Sequence, residues 1–211
     1  MLLSECFAEL DELYEKDVKK TEGCAGEDKL ALAPEKMREF YSSFKSVRMP
    51  FGEIFPIEDS VKASKVEPFK SEGWFCFGQD EFAFWLCRNE PDSDGLSFTS
   101  YDHELEEDID SAAFEDLQEY LKFLSDDYMD SELAKMGSVY ISGYCKEAMK
   151  EVVEVRKAFH STVSMLDIKE KATKGSCKIK DKFHYYQAKK ILKSMDLKYL
   201  KVTIKKTSDL Y

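Results

Sequence analysis

The chain has 211 residues, of which 43% are hydrophobic, 13% are aromatic and 35% are charged. This composition excludes a disordered or fibrous protein, and the length suffices for one large domain or two small ones. No apolar run approaches the roughly 20 residues that cross a bilayer. The first residues, MLLSECFAELDELYEK, carry acids where a secretory signal carries bases, so we expect a cytoplasmic protein.

The first third of the chain predicts two helices. Apolar side chains recur at helical spacing from Cys6 to Tyr14, and the polar, glycine-bearing KKTEGCAGEDK that follows predicts an exposed loop. Pro34 suits the first turn of a second helix, which places apolar residues on one face. Those residues are Met37, Phe40, Tyr41 and Phe44. Pro50 and Pro56 then favour extended chain.

A strand-rich stretch follows. Aromatic-rich runs at 74–77 and 82–87 flank Gly78-Gln79-Asp80-Glu81, which predicts a β-hairpin. Both faces of the second run are apolar, so we expect a central strand that is covered on both sides. A third strand is predicted at 96–101. A helix capped by Asp110 or Ser111 closes the segment, and the order predicts an α+β fold with a mainly antiparallel sheet flanked by helices.

The charge changes sign where this helical pattern ends. Residues 1–126 hold 31 acids and 13 bases, a net of −18, whereas residues 127–211 hold 11 acids and 18 bases, a net of +7. A composition shift at a break in periodicity is typical of a domain boundary. We therefore predict an acidic domain over 1–126 and a basic domain over 127–211, joined at about 125–135.

The second domain predicts the order β-α-β-α-β, a compact α/β or α+β unit. The predicted pieces are a strand at 139–141, a helix at 146–159, an extended piece at 163–168, a helical stripe at 183–195 and a strand at 199–204.

Lysines are dense in this second domain, and such density can bind phosphates. The lysines from Lys169 to Lys182 fall in a predicted loop, only Tyr185 and Tyr186 interleave nearby, and no arginine accompanies them. Because an acidic domain is also covalently attached, we do not expect nucleic-acid binding from the sequence.

No motif in the sequence predicts catalysis, a metal or a cofactor. The six cysteines form no Cys-x-x-Cys pair and the three histidines are scattered, so reduced thiols are expected instead of a zinc site. Neither Gly-x-Ser-x-Gly nor a glycine-rich phosphate loop occurs. An acidic run could attract a hard cation, but it lacks the EF-hand spacing and predicts a solvated surface. The run is Asp102, His103, Glu104, Glu106, Glu107, Asp108 and Asp110.

The order of several segments in the first domain resembles that of the SUKH superfamily. The segments are PEKMREFYSSF, GEIFPIED, WFCFGQDEFAFWLC, SFTSYDHE and SAAFEDLQEYLKFL. The resemblance covers about residues 30–126, and it departs from the family at Lys45-Ser46-Val47-Arg48, where many members carry Asn-Gly or a similar turn. This superfamily includes a fungal cell-wall-assembly regulator and bacterial immunity proteins that neutralise polymorphic toxins. In the second domain, QAKKILKSM and LKYLKVTIKK resemble the C-terminal domain of ribosomal stalk proteins.

The SUKH resemblance implies an immunity protein without a catalytic site, which covers the active site of a basic toxin domain. Acidic side chains would steer such a partner, and binding would weaken as salt rises. We predict the partner-binding residues to be Glu104, Glu106, Glu107, Asp108 and Asp110. The alternatives are an intracellular regulatory or scaffold module of the same fold and a hydrolase of a different class. The sequence predicts no oligomeric state.

Overall fold

The computed structural model describes residues 3–88, 95–102, 104–105, 108–109, 111–131 and 134–206. The chain divides into two compact units, residues 1–126 and 127–211. Each unit combines an antiparallel sheet with helices, so the protein has the α+β architecture that the sequence predicts. Within these described ranges, no helix combines the length and the apolar character that a bilayer crossing requires.

The first unit contains a six-stranded antiparallel sheet in the order β1-β2-β3-β4-β5-β6. Its strands are β1 (Lys19–Glu22), β2 (Phe44–Met49), β3 (Gly52–Ile54), β4 (Trp74–Gln79), β5 (Phe84–Arg88) and β6 (Phe98–Tyr101). Its helices are α1 (Leu3–Tyr14), α2 (Glu27–Leu30), α3 (Glu35–Ser43), α4 (Ile57–Ala63), α5 (Phe69–Glu72) and most of α6 (Leu117–Asp130), which continues into the second unit. The predicted end of helical structure near Ser125 is wrong, because α6 continues to Asp130.

One face of this sheet packs against α1, α3 and α6 through aromatic side chains. The ring of Phe7 in α1 lies 6.0 Å from that of Phe40 in α3. Tyr120 in α6 lies 6.0 Å from Phe77 of β4 and 6.1 Å from Trp85 of β5. All five rings are essentially buried, so their apolar surface supplies much of the driving force for folding this unit.

The opposite face of the sheet is also covered. Phe69 in α5 packs edge-on against Phe84 of β5 at 5.5 Å and against Tyr101 of β6 at 5.8 Å. Leu86 and Cys76 belong to the same buried cluster. The strand β5 therefore lies between two strands with both faces packed, as its apolar pattern predicts.

Two glycines make room for the indole of Trp85. Gly52 has φ of 142°, a conformation that side-chain-bearing residues rarely adopt. A Cβ atom at Gly52 would overlap the Trp85 ring, and one at Gly78 would overlap both that ring and the carbonyl oxygen of Glu53. The fully buried Trp85 is thus fitted closely between two stretches of backbone.

Two predictions for the first third of the chain differ from the structure. Phe44 begins the strand β2 instead of lying on the predicted second helix, and the chain after Pro56 forms the helix α4 instead of extended structure.

Further predictions for the first unit also differ from the structure. The hairpin turn is Asp80–Ala83 and not 78–81, because β4 extends to Gln79. The start of the predicted loop KKTEG forms the edge strand β1, which pairs with β2. The closing helix begins at Leu117, because the Asp116 carboxylate accepts a hydrogen bond from the N–H of Glu119 at 2.8 Å. Ser111 does not cap that helix, and Asp110 lies outside the described residues.

The second unit contains a three-stranded antiparallel sheet in the order β8-β7-β9. Its strands are β7 (Met136–Ser142), β8 (Ser176–His184) and β9 (Lys201–Lys206), and its helices are α7 (Met149–Ala158), α8 (Met165–Lys174) and α9 (Tyr185–Lys193). The order along the chain is β-α-α-β-α-β instead of the predicted β-α-β-α-β. The second unit is therefore also of the α+β type.

Local chemistry explains that difference. The predicted extended piece at 163–168 begins the helix α8, which the Ser164 side chain caps by accepting a hydrogen bond from the N–H of Asp167 at 3.1 Å. The lysine-rich stretch after α8 is a strand and not a loop, because Cys177 and Ile179 alternate with lysines and enter the core.

A buried carboxylate holds the chain before β9. Glu151 of α7 accepts hydrogen bonds from the backbone N–H groups of Lys198 at 2.9 Å, Tyr199 at 3.1 Å and Leu200 at 2.8 Å. Burial of this carboxyl raises its pKa, but the hydrogen bonds from the three backbone N–H groups lower it by a larger amount. The pKa of Glu151 is therefore below the ordinary value for a glutamate. The ionised side chain therefore joins α7 to the segment that leads into β9.

Candidate functional site

Strand register in the first unit brings two turns to the same end of the sheet. Phe84, the first residue of β5, pairs with Tyr101, the last residue of β6. The hairpin tip that precedes Phe84 therefore lies beside the segment that follows Tyr101. We call this region the acidic sheet end and define it by its described residues: Asp80, Glu81, Phe82, Asp102, Glu104 and Leu105.

The hairpin tip is fixed by the side chain of Asp80. One carboxylate oxygen accepts hydrogen bonds from the N–H groups of Phe82 and Ala83, each at 2.8 Å. The other accepts the indole N–H of Trp85, also at 2.8 Å. Because Trp85 is fully buried, the turn is tied to the core. The tip thus presents Phe82, whose side chain is 60% exposed, in one preformed conformation.

The neighbouring turn has the same construction. The Asp102 carboxylate accepts a hydrogen bond from the N–H of Glu104 at 2.9 Å, and the Asp102 carbonyl accepts one from the N–H of Leu105 at 3.2 Å. Leu105 is 84% exposed, the largest exposure among the large hydrophobic residues of the described ranges. Each turn therefore presents one apolar side chain next to one exposed glutamate, Glu81 or Glu104.

A buried hydroxyl pair supports the end of β6 from inside. The Tyr120 hydroxyl of α6 lies 2.8 Å from the Ser100 hydroxyl of β6. Burial of the Tyr120 ring raises the pKa of its hydroxyl, so the tyrosine stays neutral at physiological pH and β6 is anchored without charge.

Only some of the predicted partner-binding residues belong to the acidic sheet end. Glu104 belongs to the acidic sheet end, and Asp108 is exposed further along the chain. Glu106, Glu107 and Asp110 lie outside the described residues. The acidic run is followed by Ile109 and Ala112, which pack on the buried cluster beneath β6, and by a bridge between Phe98 and Phe114.

The sequence did not identify Glu81, Phe82 or Leu105 as candidate binding residues. Phe82 was predicted in a buried strand, because the aromatic run continues through Phe84 and Trp85. The signal that could have identified the turn is Asp80, since an aspartate at the first position of a turn accepts hydrogen bonds from the following N–H groups.

The described residues hold no grouping of three or more histidine, cysteine, aspartate or glutamate side chains that could bind a metal ion. A shallow groove near α3 and α6 is lined by Glu35, Glu39 and Asp116 together with Lys36, whose ammonium donates to the carbonyl of Glu115 at 3.1 Å. A second groove is mainly apolar and lies between Leu32, Pro34, Phe69 and Trp74. Their side chains include no nucleophile with an adjacent general base.

Comparison with known proteins gives no match, whether the chain is compared with protein-family models, with curated proteins or with solved structures.

Proposed function

We propose that this protein is a non-catalytic binding protein of the immunity type, which neutralises a bacterial toxin by covering the toxin's active site with the acidic sheet end. The observation that carries the proposal is the pair of preformed turns that expose Phe82 and Leu105 beside Glu81 and Glu104. The resemblance of residues 30–126 to the SUKH superfamily supports it.

The charge of the first unit specifies the chemistry of the partner. A net of −18 over residues 1–126 repels nucleic acid and anionic surfaces and attracts a basic protein. Nucleases that bind phosphate backbones have basic clefts, and carboxylates such as Glu81 and Glu104 can occupy the phosphate positions. A basic nuclease domain is therefore the toxin class that fits this surface.

The two exposed apolar side chains, Phe82 and Leu105, supply binding energy that the surrounding charges alone do not provide. Interface energy concentrates in a few anchors, often aromatic, that fill pockets of the partner, while charges at the rim mainly raise the association rate. Because the Asp80 carboxylate accepts hydrogen bonds that hold the hairpin tip in place, Phe82 loses little conformational freedom on binding. We therefore assign Phe82 as the anchor and the glutamates as steering charges.

The test uses the polymorphic-toxin domain encoded beside this gene in its native host. Coexpression with the wild-type protein should restore growth of bacteria that produce the toxin domain, and biolayer interferometry should show a specific complex. Phe82→Ala should raise Kd at least tenfold, about 1.4 kcal/mol, chiefly through faster dissociation. The double variant Glu81→Lys, Glu104→Lys should slow association by about an order of magnitude at about 0.1 M salt.

The matched control is Glu35→Lys with Glu39→Lys, which makes the same charge change on the exposed side of α3. It should alter association much less, because long-range attraction is screened beyond about 10 Å at 0.1 M salt. The absence of such a toxin neighbour, or failure to protect against it, would refute the immunity function. Wild-type binding by Phe82→Ala would place the interface elsewhere on the protein.

A further inference from the structure

The sheet of the second unit has one face covered by helices and one face exposed. Val139 and Ile141 of β7, with Cys177 and Ile179 of β8, enter the core formed with α7, α8 and α9. Side chains alternate along a strand, so Tyr140 points to the opposite face. Tyr140 is half-buried at the centre of that face.

Strand register places lysines on both sides of this tyrosine. Tyr140 pairs with Lys178 of β8 and with Thr203 of β9. Lys205 pairs with Ser138 and Lys201 pairs with Ser142, and paired residues of neighbouring strands project to the same side of a sheet. The ammonium of Lys205 lies 5.0 Å from the centre of the Tyr140 ring. We call this surface the cationic sheet face: Tyr140, Lys178, Lys201, Thr203 and Lys205.

One carboxylate lies beside this surface. Asp181 accepts a hydrogen bond from the Ser138 hydroxyl at 2.5 Å and pairs with the Lys178 ammonium at 3.0 Å. This exposed ion pair offsets part of the charge of Lys178. The ammonium groups of Lys201 and Lys205, on the other side of Tyr140, then contribute most of the positive charge.

We propose that the cationic sheet face binds single-stranded nucleic acid, a function independent of the toxin partner assigned to the first unit. Lys201 and Lys205 would contact phosphates, and a base would stack on the Tyr140 ring. Positive side chains along a backbone path, combined with an aromatic ring at the surface, are the pattern by which proteins bind single strands. Tyr140 is half-buried, so a base that stacks on its ring would displace the Lys205 ammonium that lies over it. Unpaired bases can stack on a protein ring, whereas the bases of a duplex are already stacked on each other.

The sequence predicts Lys178 in an irregular loop and Lys201 in a separate strand. In the structure β8 and β9 flank β7, so side chains far apart in sequence share one surface with an aromatic residue at its centre. The net charge of +7 over residues 127–211 has the sign that polyanions require. The acidic first unit lowers the overall affinity, so we expect micromolar binding that is measurable at low salt.

The experiment measures fluorescence anisotropy of labelled oligo-dT and oligo-rU of 20 nucleotides with the full chain, from about 30 to 200 mM salt. Binding should weaken with salt, with a slope near −1.4 in log K against log salt, since Lys201 and Lys205 would neutralise two phosphates at about −0.7 each. A duplex of the same length should bind at least fivefold more weakly. Binding of neither single strand at 30 mM salt would overturn the proposal, and so would equal binding of the duplex.

Variants separate this face from general electrostatic attraction. Lys201→Ala with Lys205→Ala should weaken binding at least tenfold and reduce the slope by about 1.4. The control, Lys169→Ala with Lys174→Ala on exposed positions of α8, removes the same charge from the helical side and should change binding less than threefold. Tyr140→Phe should bind like the wild type, while Tyr140→Ala should weaken binding without changing the slope. Equal losses for the two lysine pairs, or an unaltered affinity of Tyr140→Ala, would refute the proposal.

Discussion

The two units have the same architectural class but expose different parts of their sheets. In the first unit, helices and loops cover both faces of the sheet around β4–β6, so exposed side chains such as Phe82 lie in the turns at its end. In the second unit, helices cover one face of a three-stranded sheet, and the other presents Tyr140 among lysines. The number of covering layers thus determines whether a turn or a sheet face is available to solvent.

The charges of the two units follow the same division. The acidic first unit presents apolar anchors with carboxylates around them, which suits a basic protein surface. The basic second unit presents an aromatic ring with ammonium groups around it, which suits a polyanion. The comparison predicts that the two compact units unfold independently of each other, and variants confined to one unit test this prediction.

Gly78→Ala should give the largest effect and should be confined to the first unit. The new Cβ overlaps the Glu53 carbonyl and the Trp85 ring, and such overpacking costs about 3 kcal/mol. Both tryptophans, Trp74 and Trp85, belong to the first unit, so urea unfolding followed by tryptophan fluorescence should report the loss directly. Hydrogen-exchange protection of peptides from β7 and β9 should remain unchanged.

The control for that variant is Gly26→Ala, whose Cβ would contact only the flexible side chain of Asp28 and whose effect should stay within about 0.5 kcal/mol. If Gly78→Ala reduces protection equally in β7 and β9, the two units unfold as one and the predicted division at 125–135 is wrong. Limited proteolysis gives a second readout, and cleavage is expected after α6 ends at Asp130.

Glu151→Gln should destabilise the second unit in a pH-dependent way. The folded protein lowers the pKa of this carboxyl, because three backbone donors outweigh the opposing effect of burial. Its stabilisation is therefore complete above the unfolded pKa, about 4.3, and is lost as pH falls through the lower folded value. Hydrogen exchange in β9 should be faster in the variant at pH 7, and the difference should shrink below about pH 4.

The control for that variant is Glu154→Gln, an exposed position on the same helix, which should leave exchange in β9 unaltered at either pH. A difference between Glu151→Gln and the wild type that is the same at pH 7 and pH 3.5 would show that the ionised carboxylate does not hold the segment before β9.

Sequence patterns predicted the parts of the fold that local periodicity determines. The hairpin was predicted from two aromatic runs that flank a turn segment, and the central position of β5 from its two apolar faces. Both predictions are confirmed. The edge strand β1 was missed because its pairing with β2 is a long-range interaction without a local pattern. The strand β8 was missed because frequent lysines obscured the alternation of Cys177 and Ile179.

The candidate sites depend on strand register, which the sequence does not determine. Glu104 was predicted from its charged surroundings, but its proximity to the hairpin tip follows from the pairing of Phe84 with Tyr101. Tyr140 and Lys205 are 65 positions apart in sequence, and only the pairing of β7 with β9 brings them together. Tertiary pairing, and not residue type, therefore creates both surfaces.

The reactivity of the cysteine thiols reports on both hydrophobic cores in the unaltered protein. Cys24 is exposed, whereas burial raises the pKa of Cys6 to about 11 and those of Cys76 and Cys87 to about 12. Burial also raises the pKa of Cys177 in the second unit. A thiol with a raised pKa is protonated at pH 8 and reacts slowly. Cys24 should therefore react with Ellman's reagent at least tenfold faster than these four buried thiols, with the half-buried Cys145 between them, and Cys24→Ser should remove the fastest phase.

Thiol reactivity measured at increasing urea concentrations tests whether the two units unfold separately. If the cores are separate, the three buried thiols of the first unit and Cys177 of the second should become reactive at different urea concentrations, assigned by mass spectrometry of the labelled peptides. Gly78→Ala should shift only the transition of Cys6, Cys76 and Cys87. A single transition for all four buried thiols, in the wild type and in the variant, would mean that the acidic and basic units share one cooperative structure.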